Sequence, residues 1–110
     1  MPQMKPFDKS TMLLEMYHDS YFPNLLVDRV KAEMEQVVEL LESGERSEEK
    51  IQTALDKMTV RINALEKAFE AEDSELETVA RDSIAVTIRD ILGWFGIDID
   101  AETVLRERDW

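Results

Sequence analysis

Ile51, Leu55, Met58, Ile62, Leu65 and Phe69 follow one another at alternating steps of four and three residues. That spacing keeps side chains on one helical face and makes the seam of helices crossing at about 20°. Ser47 stands before it with a hydroxyl suited to capping, and Glu48 and Glu49 occupy the electropositive first turn. The pattern predicts a helix over about 48–71. Upstream, Val27, Val30, Met34, Val37, Val38 and Leu41 share one face, with Asp28, Glu35 and Glu39 opposite. Pro23 suits a helical first turn and Gly44 the left-handed position past a helix end, so this helix should run over about 23–43. Downstream, Ser74 and Glu77 match the S-x-x-E capping box and should open a helix over about 75–95. Leu76, Val79, Ala80, Ile84, Ala85, Val86, Ile88, Ile91, Leu92 and Phe95 make it apolar nearly all round, which predicts a central place in the packing.

Shorter helices are expected at both ends. One covers about 9–18, with Met12, Leu13 and Met16 apolar; the other covers about 101–108, capped by Asp100 and carrying Val104, Leu105 and Trp110. The connections "SGERS" and "EDS" are short, and short loops between long helices make antiparallel neighbours. The expected fold is all-α: one domain over 1–110, an up-down bundle of three long antiparallel helices with short helices at both ends.

Composition supports a folded helical chain. Leu, Ile, Val and Phe supply 30 of 110 residues, while Gly and Pro supply three each. Charge narrows the partners. The net charge is −12, spread along the chain as 5 basic against 9 acidic residues over 1–46 and 8 against 16 over 47–110. Such a field repels phosphate backbones and anionic lipid headgroups, so neither nucleic acid nor membrane is expected as a partner. Without cysteine there is no disulfide or thiolate chemistry, and "MPQMKPFDKS" lacks the pattern of a secretory signal. A cytoplasmic location follows as the expectation.

Candidate chemistry is sparse. "YHDSYFPNLL" sets the only histidine, His18, among Tyr17, Tyr21 and Phe22 with Asp19 adjacent, which is how a general base can look. It also reads as a helix connection whose aromatics plug the end of a bundle, and no further partners are nominated for catalysis. Glu77 and Arg81 fall inside the apolar face of the 75–95 helix at a spacing that allows a salt bridge. With Tyr17, His18 and Tyr21 they form the candidate binding site, at the bundle end where that helix begins. Glu39 and Glu42, with Glu70 and Asp73 on the next helix, resemble the Mg²⁺-binding acids of the all-α nucleoside triphosphate pyrophosphohydrolases. Among 15 glutamates the same spacing also arises at 42/45, 45/48 and 72/75, and Glu39 falls about 140° from the centre of its helix's apolar stripe. A solvated face is therefore favoured over a metal site, and no cofactor is expected. Trp94, Phe95 and Trp110 near helix ends suggest a homodimer as a further alternative.

"YFPNLLVD", "SELETVARD" and the closing "RDW" make the chain resemble a family of small acidic bacterial proteins catalogued as a domain of unknown function, over about Tyr17 to Trp110. The resemblance implies a bacterial cytosolic helical protein and brings no activity or ligand. The leading expectation is a non-enzymatic module that binds another protein, with a basic protein as the candidate partner. A Mg²⁺-dependent nucleotide pyrophosphohydrolase and a structural homodimer stand as alternatives.

Overall fold

Each amphipathic stripe becomes a helix. The computed structural model describes residues 7–99, 101–108 and 110. Among them the chain forms a 3-10 turn (Lys9–Thr11), then α1 (Leu14–His18), α2 (Asn24–Glu42), α3 (Glu48–Ala71), α4 (Thr78–Trp94) and α5 (Ala101–Val104), with no strand. No helix among the described residues is long and apolar enough to cross a membrane. The expected cap at Asp100 lies outside the described residues.

All six stripe positions of α2 are buried, and so are those of α3 except half-buried Leu65. The two helices pack along each other. Arg61 Nη1 reaches Gln36 Oε1 at 2.6 Å, and Phe22, just before α2, meets Phe69 near the end of α3 edge to face at 6.4 Å. Thr59 joins the buried face of α3 because its hydroxyl bonds the Leu55 carbonyl at 2.8 Å within its own helix. Among the described residues the buried apolar side chains form one contiguous cluster from Phe7 to Trp110.

The long helices end where a residue turns left-handed. Gly44 (φ 98°) and Gly96 (φ 71°) close α2 and α4, and in each case the next amide bonds back to the last turn: Glu45 N–H to Leu40 O, and Ile97 N–H to Leu92 O. At the end of α3 the same motif uses Asp73, at φ 57°. Asp73 N–H donates to Glu70 O at 3.0 Å and Ser74 N–H to Phe69 O at 2.8 Å.

This closure of α3 overturns the expected start of α4. Ser74 is spent on ending α3, so no capping box forms and its buried hydroxyl has no partner among the described residues. The chain stays extended through Glu77 (ψ −162°), burying Leu76 on the way, and α4 begins at Thr78 instead of 75. Nor is α4 central. Ala80, Ser83, Ile84, Thr87, Ile88, Ile91 and Leu92 face inward, while Val79, Val86 and Trp94 are exposed. Burial follows the 3.6-residue period, so two small hydroxyl residues lie inside and two valines outside.

The N-terminal helix is also interrupted. Leu13 adopts φ 56°, its side chain is 0% exposed, and its amide donates to Thr87 Oγ1 at 3.0 Å. A buried N–H outside a helix requires such an acceptor, and meeting it separates the 3-10 turn from α1. At the other end α5 stops at Val104 instead of 108, because the segment after it is strapped to α3. Arg106 grips Asp56 through two bonds of 3.1 and 2.6 Å, Gln52 bonds Thr103 O, and Asn63 bonds Glu107 O.

Two outcomes follow. A Cβ at Gly44 would meet no atom within 4 Å, so Gly44→Ala should cost only the left-handed backbone energy, about 1 kcal/mol. Asp73→Gly should gain about 0.5 kcal/mol, the relieved strain being partly offset by a freer unfolded chain. Urea denaturation midpoints check both. The Arg106 bond holds the Asp56 carboxyl below its ordinary value of 3.8. A depressed acid stabilises the fold above that value and loses its contribution as pH falls below it. Acid titration should therefore release the 101–110 segment below about pH 4, read from Trp110 fluorescence in a Trp94→Phe background, and Asp56→Asn should remove that step.

Candidate functional site

The start of α2 and the corner after α3 occupy one end of the molecule. Partial desolvation, and then the charges of Glu75, Glu77 and Asp19, hold the Tyr21 phenol above its ordinary value. Phe22 before α2 packs on Phe69, and the Ser74 amide bonds the Phe69 carbonyl, so the segment before α2 and the approach to α4 are neighbours. Glu70, Glu72, Asp73, Glu75 and Glu77 are all exposed here, and none makes an ion pair among the described residues. Beside them lies an open groove of about 700 Å³, lined by Pro23, Asn24, Leu25, Leu26, Arg29 and Glu72. Leu25 is 80% exposed.

The residues nominated from sequence have different fates at this end. Tyr17 is half-buried and donates to Asp28 Oδ1 at 2.5 Å; burial, that bond and the charges of Asp28 and Glu35 all raise its pKa. Its hydroxyl is already committed. Lys31 Nζ stands 6.0 Å from the Tyr17 ring. His18 is the exposed last residue of α1, and the neighbouring Asp19 carboxylate accepts from the Tyr21 amide at 3.0 Å, closing a turn. That carboxylate is a backbone cap. Tyr21 is exposed and packs edge-on against Phe22 at 5.1 Å.

Glu77 and Arg81 form no salt bridge. Glu77 precedes α4 with an extended backbone, so its exposed side chain is not one helical turn below Arg81; only its carbonyl meets the Arg81 amide, at 2.8 Å. Arg81 is half-buried, with Nε shielded and unpaired among the described residues. Neither residue lines the groove.

The four carboxylates of the Mg²⁺ alternative do not converge. Glu39 and Glu42 lie in the last turn of α2, whereas Glu70 and Asp73 lie beside Phe22, before its first turn. The 16 residues from Pro23 to Glu39 span about 24 Å of helix. All four side chains are exposed, and no group of three His, Cys, Asp or Glu among the described residues could hold a metal ion. Of the aromatics proposed for a dimer, Phe95 and Trp110 are in the core; Trp94 is 43% exposed and stacks edge-on with Phe7 at 6.2 Å.

Sequence reasoning passed over the groove. The available signal was Leu25, which on a 100°-per-residue wheel lies about 170° from the centre of the α2 stripe. A leucine there has no core to enter. Pro23 and Leu26 wall the groove because they sit at the helix start, and Glu72 closes it only because α3 ends beside them.

Compared with known proteins, the chain matches no curated protein and no solved structure. A family model does match, over residues 6–110, nearly the whole length. The chain accordingly belongs to the family of unknown function DUF5713.

Proposed function

We propose that the protein is a non-enzymatic interaction module of the cytosol whose partner is a basic protein. One observation carries this reading: five exposed carboxylates between Glu70 and Glu77, unneutralised by any ion pair among the described residues, crowd one end of a chain of net charge −12. Like charges at such spacing cost stability that a cationic surface would recover on binding, and the wider field would steer that surface inward. Nucleic acid and anionic membranes carry the wrong sign.

The same reading takes the three long helices as an up-down antiparallel bundle, which would present this corner as a rigid platform. The Phe22–Phe69 stack and the Arg61–Gln36 bond support that arrangement for α2 and α3.

Affinity capture from the source cell should recover a basic protein at low salt and lose it near 1 M salt, where the screening length is about 3 Å. Replacing Glu70, Glu72, Glu75 and Glu77 together by Gln should abolish the capture and leave the circular dichroism unchanged. Equal capture by the variant would sink the reading.

A further inference from the structure

We propose that the groove at the start of α2 is the seat of an amphipathic helix of the partner, which places a leucine-like side chain on Leu25 and Leu26 and a Lys or Arg against Glu72. The proposal rests on the basic-partner reading above and adds where and how that partner docks.

The argument begins with Leu25. It sits at the second position of α2, on the side away from the core, with four fifths of its surface in water. Among the described residues nothing covers it. Together with Pro23 and Leu26 it gives the groove an apolar floor. A small ligand is normally enclosed over most of its surface. A groove with a protruding leucine cannot enclose one, whereas a protein face can cover it.

Charge selects the occupant. Glu72 forms one wall, and the other acids of the corner continue outward from it; Arg29 stands one helical turn beyond Leu25. A partner with apolar residues at i and i+3 or i+4 and cations on one flank satisfies the floor and the Glu72 wall together. Repulsion from Arg29 orients it, because the cationic flank must lie on the Glu72 side. A second copy of this chain fits poorly. A two-fold contact of Leu25 on Leu25 would bring two acidic corners together, between chains of charge −12 each.

The test uses peptides of known chemistry. A Leu/Lys peptide of about 15 residues with leucines at helical spacing should bind the full chain, with NMR shifts at the Leu25 methyls and Arg29 Nε. Its Leu/Glu counterpart and a scrambled Leu/Lys peptide should not. Leu25→Asp should weaken binding by about tenfold to a hundredfold, the range expected for losing one buried leucine contact. The substitution adds a charge that attracts lysine, so weakening can come only from the lost apolar contact. An aspartate in the first turn of α2 also suits the helix, so the fold should hold. Val60→Asp, which places the same charge at an exposed valine of α3, should leave binding unchanged. Glu72→Lys should slow association while dissociation changes little.

Equal binding by wild type and Leu25→Asp would overturn the groove as the seat, and so would sedimentation showing a dimer that Leu25→Asp dissociates. Should the captured partner of the preceding section depend on the corner glutamates but not on Leu25, the basic-partner reading stands and this inference fails. Should capture ignore the glutamates while the peptide still needs Leu25, the opposite holds.

Discussion

The amide of Leu13 reaching the hydroxyl of Thr87 is the constraint on which the arrangement of α4 depends. Residues 74 positions apart are joined there in the dry interior. An N–H buried without a partner costs about 1–3 kcal/mol, so the left-handed turn at Leu13 is tolerable only while Thr87 faces inward. α4 packs more closely against short α1 than against either of the other long helices. The N-terminal segment is therefore a wedge that holds α4 to the α2–α3 pair, and Ser83 and Thr87 lie inside while Val79 and Val86 lie outside.

The two ends of the molecule are built differently. At one, Arg46 in the α2–α3 connection donates to Leu41 O and lies 5.7 Å from the Phe95 ring, so that loop and the close of α4 are held together. Along α3, Asp56 and Asn63 bind the C-terminal segment. At the opposite end the stacking of Phe22 on Phe69 seals the core, but among the described residues the carboxylates above it make no ion pair and Leu25 is 80% exposed. Arg106 of the strap is paired with Asp56, whereas the corner carboxylates make no ion pair among the described residues. That asymmetry is the ground on which the corner and its groove are proposed as the binding surface.

Most of the helical architecture was legible in the residues. Pro23, Gly44, Ser47 and Gly96 mark helix ends by local backbone chemistry, and the stripes of α2 and α3 are long enough for the 3.6-residue period to be unambiguous. The candidate site was less so. Tyr17, His18 and Tyr21 do lie on the connection into α2, yet Tyr17 is bonded to Asp28 and the acid beside His18 caps a turn. Sequence adjacency does not reveal which of its hydrogen bonds a side chain has already made.

What the sequence determined by itself is local: which stretches are helical, which face of each is apolar, and that the surface is strongly acidic. Backbone propensity and periodicity act over a few residues and need no distant partner. Tertiary structure alone decided the start of α4, where Ser74 could serve either the box with Glu77 or the closure of α3, and the burial of Leu76 and Phe69 favoured the closure. It also decided that Glu39 and Asp73 never meet, that Leu13 turns left-handed to reach Thr87, and that Leu25 and Glu72 share a groove. Each of these is a competition for one hydrogen bond or one patch of surface between residues far apart in the chain, and its outcome exists only once the helices have packed.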